Sequence, residues 1–77
     1  MAAKDLIETI ARALVDEPNS VEVTEIDADR STVVELRVAQ GDVGKVIGKD
    51  GRTAQSIRTL LSAVSTPGRR IHLDILD

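Results

Sequence analysis

Apolar residues recur with two different periods along this chain. Over 4–16, Leu6, Ile10 and Leu14 fall at i, i+4 and i+8 with Ile7 and Ala11 beside them, while Lys4, Glu8, Arg12 and Asp16 take another face. That spacing predicts an amphipathic helix, stopped by Pro18 and Asn19. The period then drops to two. Val21 and Val23 open a strand over 21–26, in which Ile26 is out of phase and suggests a bulge or frayed end. A polar turn, Asp27-Ala28-Asp29-Arg30, leads into a second strand over 32–38. There Val34, Leu36 and Val38 take one face, and Val33, Glu35 and Arg37 the other. So short a connection predicts an antiparallel hairpin. Helical spacing returns over 43–47 with Val43, Val46 and Ile47, and Asp42 stands where its carboxylate could cap the first turn. Gly48-Lys49-Asp50-Gly51 interrupts this helix. A longer one follows over 52–65, with Ala54, Ile57, Leu60, Leu61 and Val64 on one stripe. Pro67-Gly68 ends it, and Ile71, Leu73 and Ile75 alternate with Arg70, His72 and Asp74 in a last strand over 69–76.

The predicted order is αββααβ. Three strands and three helices suit an α+β fold, a two-layer sandwich of one three-stranded sheet with its helices on one face. The 77 residues make one domain, 1–77. A chain of this size buries only roughly 60% of its unfolded surface, so the core is thin. Without cysteine neither a disulfide nor a cysteine-bound metal can brace it. Size alone therefore invites a partner chain.

Composition removes several functions. Phe, Tyr and Trp are all absent, which counts against modes that stack bases on aromatic rings. A nucleic-acid binder built from these residues must use backbone, charge and aliphatic contacts. The net charge of −3 disfavours such a ligand until its distribution is considered. Residues 1–36 carry a net −6, residues 37–70 a net +5 and residues 71–77 a net −2. The basic stretch holds Arg37, Lys45, Lys49, Arg52, Arg58, Arg69 and Arg70, and its local field is what a phosphate would meet. Asp5, Glu8 and Arg12 break any apolar leader, and no window approaches a membrane-spanning length. With the missing cysteines, this leads to the expectation of a cytoplasmic protein without membrane contact.

Four of the five glycines lie within 41–51, which raises the question of a phosphate loop. A Walker A loop does not fit: Gly44 and Gly48 have three residues between them instead of four, and Asp50 follows Lys49. The dinucleotide pattern fails on spacing and on the lack of a strand leading into it. A sharp helix–helix turn does need glycine, and a missing Cβ lets a sugar-phosphate chain approach the backbone. Gly51 opens the long helix, whose N-terminal N–H groups and dipole favour phosphate.

Val46-Ile47-Gly48-Lys49-Asp50-Gly51-Arg52, followed by Ala54 and Ile57, resembles the KH signature: an aliphatic pair, GXXG, then a helix. The element order matches the type II arrangement over essentially the whole chain. The run from Gly44 to Leu61 is similar to the small bacterial stand-alone KH proteins of the KhpA type. The resemblance implies a single-stranded RNA partner clamped by the loop. It assigns the binding site to Lys45, Gly48, Lys49, Asp50, Gly51 and Arg52, the three cations neutralising and positioning phosphates without reading bases. Val46, Ile47, Ala54 and Ile57 are candidates to line an aliphatic groove beside the loop. Ala54 stands where many KH sequences carry a larger aliphatic. Arg58 is a candidate for a further phosphate contact, whereas Arg69 and Arg70 read as surface charges flanking the last strand. The resemblance also implies self-association, or association with a larger KH-containing protein of the KhpB (Jag) type. With these comes a role as RNA chaperone or post-transcriptional regulator in cell-envelope homeostasis, cell shape and cell-wall biogenesis.

No catalytic constellation is visible. His72 is the only histidine, and it lies in an alternating strand. Asp27 and Asp29 form a D-x-D turn that nothing else extends into a metal site. The expectation is a non-enzyme without metal or cofactor. Two other readings compete: a protein-interaction module whose RNA loop is vestigial, and a helix-turn-helix DNA binder using 43–47 and 52–65, with Arg52, Gln55, Ser56 and Thr59 as base readers.

Overall fold

The computed structural model describes residues 2–76. Helix α1 spans Ala3–Leu14. Strands β1 (Glu22–Asp27) and β2 (Ser31–Arg37) follow, then helices α2 (Val43–Ile47) and α3 (Arg52–Val64), and strand β3 (Arg70–Leu76). Single 3₁₀ turns at Pro18–Ser20, Gln40–Asp42 and Lys49–Gly51 join them. The order αββααβ and the type II KH topology are those expected from the sequence.

The sheet runs β1-β2-β3 and is mixed. β1 pairs antiparallel with β2, from Glu22 opposite Arg37 to Asp27 opposite Thr32. β3 pairs parallel with β2, from Ser31 beside Arg70 to Arg37 beside Leu76. A parallel neighbour requires a crossover, and residues 38–69 supply it as α2 and α3. Even-numbered residues of β2 face inward: Thr32, Val34 and Leu36 are buried, as is Val38 just beyond. They meet Ile7, Ala11, Val46, Ile57, Leu61 and Leu73 in one core. On the opposite sheet face Ile26, Val33 and His72 share a row.

Three expectations are corrected. Helix α1 ends at Leu14, two residues before the predicted end; the Val15 N–H still bonds to the Ala11 carbonyl, and the backbone then turns extended. Pro18 disfavours helical geometry at Glu17, whose φ and ψ are −120° and 76°. The buried face of α1 is Ala3, Ile7 and Ala11, and Leu14 is left exposed at the helix end. Strand β1 carries no bulge: the ladder is unbroken through Asp27. Ile26 is out of phase because its side chain lies on the outer face, where it is 48% exposed. On α3, Ala54, Ile57 and Leu61 are buried, while Leu60 and Val64 flank the stripe and remain exposed.

Candidate nucleic-acid interface

The link between α2 and α3 is set by backbone conformations that few residues tolerate. Gly48 has φ 78° and ψ 173°, a region open essentially to glycine alone. Its surroundings impose the same choice. A Cβ built on Gly48 would overlap the Thr53 side chain and lie 2.8 Å from the Thr53 nitrogen. Asp50 (φ 56°, ψ 25°) and Gly51 (φ 76°, ψ 11°) are both left-handed. Aspartate is among the few side-chain-bearing residues that enter this region with ease. That accounts for Asp50, whose charge is unexpected in a loop expected to meet phosphate. The turn is closed by the Gly48 N–H donating to the Gly44 carbonyl at 2.9 Å and the Gly51 N–H donating to the Gly48 carbonyl at 3.2 Å.

Lys49 and Asp50 are exposed on this turn, with Arg52 exposed on the first turn of α3. No side chain among the described residues caps α3. Neither Lys49 nor Arg52 pairs with a carboxylate among the described residues. Two cations free of internal partners thus flank the positive end of a 13-residue helix.

The remaining candidates are distributed differently. Val46, Ala54 and Ile57 are buried at 0%, 3% and 3% exposure, so of the four aliphatic candidates only Ile47, at 37%, offers surface. The Arg58 guanidinium reaches toward the Leu73 carbonyl of β3 at 3.5 Å, the long limit of a hydrogen bond. It lies about 9 Å along α3 from Arg52, beside an edge strand. Lys45 is engaged: its Nζ lies 3.1 Å from Asp42 Oδ1 and 3.0 Å from Asp16 Oδ2.

Asp42 is the buried member of that group, at 3% exposure. It occupies the N-cap position of α2 but makes no cap hydrogen bond. Its Oδ2 instead accepts the Glu17 N–H at 3.1 Å. Burial pushes the Asp42 carboxyl up, but the hydrogen bonds from Lys45 and from the backbone at Asp16 and Glu17 outweigh it, and the net displacement is below the ordinary 3.8. Hydrogen bonds to Asp16 and Asp42 hold the Lys45 ammonium above its ordinary 10.5, against the opposing effect of burial.

Sequence reasoning missed this cluster. The Asp42/Lys45 spacing of i, i+3 was the one visible signal, and it also fits a solvated helix face. It misread Arg69 as well. The Arg69 Nη1 donates to the Ser31 carbonyl and to Thr32 Oγ1 at 2.9 Å and to the Ala28 carbonyl at 3.2 Å. It is therefore a brace across the β1–β2 turn and not a surface charge. Arg70 and His72 are exposed, as their strand alternation implied. No helix among the described residues is long and apolar enough to cross a membrane. For helix-turn-helix geometry, Arg52, Gln55, Ser56 and Thr59 are all exposed, but the leading helix α2 has only five residues.

Comparison with known proteins adds an independent finding. Residues 4–75 match the family model described as KhpA/KhpB, KH domain. The chain is 47% identical over 77 residues to the RNA-binding protein KhpA of Aquifex aeolicus, covering 99% of this chain and 98% of the relative. It is 50% identical over 74 residues to that of Borreliella burgdorferi, covering 95% and 90%. With the protein of the same name from Caldanaerobacter subterraneus subsp. tengcongensis it shares 57% identity over 61 residues, covering 79% and 81%.

Proposed function

The chain belongs to the KhpA/KhpB KH-domain family, whose members are RNA-binding domains and not enzymes, and on that premise we propose that it binds single-stranded RNA by clamping the backbone with Gly48-Lys49-Asp50-Gly51. The observation that carries this reading is the loop itself. Gly48 is held where only glycine fits, and two exposed cations, unpaired among the described residues, stand at a helix N-terminus that no described side chain caps. The glycines admit the sugar-phosphate chain to the backbone, the α3 N-terminus attracts a phosphate, and Lys49 and Arg52 neutralise phosphates on either side of the turn. Asp50 presents its backbone to the ligand and holds the left-handed turn. Ile47 is the aliphatic surface against which a base can rest, since Val46, Ala54 and Ile57 are buried. Arg58 extends the positive track toward the edge of β3.

A clamp of this size without stacking rings binds weakly and with little sequence preference, so useful affinity calls for a second clamp. Leu60 and Val64, 49% and 40% exposed on α3, supply an apolar surface for a second KH domain. That domain is another copy of this chain or a KhpB/Jag-type partner. In that assembly the chain acts in the cytoplasm as an RNA chaperone or post-transcriptional regulator serving cell-envelope homeostasis, cell shape and cell-wall biogenesis. The same exposed pair supports a second reading, in which the domain is chiefly an interaction module and its loop is vestigial.

Fluorescence anisotropy on labelled single-stranded RNA separates the two. Under the clamp reading Lys49→Asp loses most binding while circular dichroism and oligomeric state are unchanged. Equal binding by both proteins, or none by either, favours the interaction module.

A further inference from the structure

Lys45 stands one helical turn before the loop, where a third phosphate contact would be expected, yet its ammonium is already shared between two carboxylates. We propose that Lys45 is a positioning residue of the RNA-binding loop and not a phosphate ligand: with the buried carboxylate of Asp42 it ties α2 to the segment following α1, and so sets the direction in which α2 delivers Gly48. The proposal rests on the reading of 48–51 as the RNA clamp.

The connection runs through named atoms. Asp42 Oδ2 accepts the Glu17 N–H, 25 residues away in sequence, while Oδ1 accepts from Lys45 at 3.1 Å. Lys45 in turn reaches Asp16, the residue before Glu17, at 3.0 Å. Adjacent residues of the α1–β1 connection are therefore gripped by two side chains at the start of α2. Helix α2 has only five residues, and Gly48 lies about 9 Å along the axis from Asp42. A change of pitch at Asp42 is thus carried directly to Gly48, whose own N–H is bonded back to Gly44. Tolerance there is small, because Gly48 packs directly against Thr53.

The same contacts argue against phosphate binding by Lys45. Turning outward would strip the buried Asp42 of the only cation it meets among the described residues, and an unpaired buried charge is strongly unfavourable. With Asp16 and Asp42 the cluster carries a net negative charge, which repels a phosphate. Lys49 and Arg52 carry no such obligation.

The test compares salt slopes and backbone amides. Wild type, Lys49→Met, Lys45→Met, Lys45→Arg and Asp42→Asn are titrated against unstructured single-stranded RNA across a salt series. Each is also examined without RNA by ¹⁵N-edited NMR. Losing one phosphate contact lowers the slope of log K against log salt by about 0.7 for a single strand, and Lys49→Met is expected to show that loss. Lys45→Met is expected to keep the wild-type slope and bind more weakly by the same factor at every salt concentration. Its Gly48 and Gly51 amides should shift in the free protein as they do in Asp42→Asn, and Lys45→Arg should restore both affinity and shifts. The proposal is overturned if Lys45→Met loses slope as Lys49→Met does, or if its loop amides stay in place. If Lys49→Met alone leaves binding unchanged, the clamp reading fails, and the amide shifts still judge the positioning role. Should Lys45→Met not fold, Asp16→Asn at a 77% exposed side chain provides the same amide readout.

Discussion

Two glycines bound the proposed clamp, and they should respond differently to the same methyl group. Gly51→Ala places an alanine in the left-handed region with nothing within 4 Å of the new Cβ. The cost is then conformational alone, about 1–2 kcal/mol, offset by ~0.4–1 kcal/mol from the stiffer unfolded chain. Gly48→Ala meets a harsher situation. Its φ and ψ of 78° and 173° cost of order 1–3 kcal/mol for any other residue. The added Cβ also falls 2.6 Å from the Thr53 Cβ and 2.8 Å from the Thr53 nitrogen. A nitrogen of the helix backbone cannot rotate away as a side chain does, so the loop or the start of α3 must move. The two terms together place Gly48→Ala at roughly 3 kcal/mol or more, against about 1 kcal/mol for Gly51→Ala. In a domain of this size about 1 kcal/mol corresponds to ~4–8 °C in Tm, so thermal melts followed by circular dichroism separate the two variants clearly. The double variant Gly48→Ala/Thr53→Gly should recover part of the loss, since it removes the side-chain overlap. Equal costs for the two alanines, or a larger cost at Gly51, would refute the claim that Thr53 enforces glycine at 48.

Three further outcomes follow from the packing. Arg69→Ala, which frees the Ala28 and Ser31 carbonyls and Thr32 Oγ1, should cost about 1–3 kcal/mol in urea unfolding, while its exposed neighbour Arg70→Ala stays within about 0.5 kcal/mol of wild type. Leu61→Ala, at 0% exposure in a thin core, should cost ~2–5 kcal/mol by the same assay, a large share of the stability of so small a domain. The Asp42 carboxyl titrates below its ordinary 3.8 in the folded chain, so its contribution is complete above that value and is lost as pH falls through the lower folded one; Tm measured from about pH 5 to about pH 2 should fall less steeply in Asp42→Asn than in wild type.

Much of the architecture was legible because short-range patterning carries it. The period-two alternation of Val34, Leu36 and Val38 and of Ile71, Leu73 and Ile75 gave both strands their inward faces. Gly48-Lys49-Asp50-Gly51 between two helical patterns located the turn. What escaped notice depends on contacts distant in sequence. Nothing local tells that Asp42 turns its carboxylate to Glu17 instead of capping α2, or that Arg69 reaches back across 37 residues to Thr32. Strand pairing is of the same kind: the parallel partnership of β2 with β3 follows only once the crossover is seen as a unit. The conformation of Asp50 was half legible. Its charge looked misplaced while only electrostatics was considered, and its left-handed backbone gives the reason for aspartate there. The aliphatic candidates divided by burial, which periodicity alone does not rank: Ile47 follows Val46 directly, yet only Val46 turns into the core.

The central claim is that RNA lies across the 48–51 turn and the N-terminus of α3. Backbone amide shifts of ¹⁵N-labelled protein titrated with unstructured single-stranded RNA test it most directly. The account predicts that Gly48, Lys49, Asp50, Gly51, Arg52 and Thr53 move progressively, while Glu22, Thr24 and Ile26 on the outer face of the sheet stay in place. Shifts centred on that outer face or on α1, with the loop unmoved at saturating RNA, would contradict it.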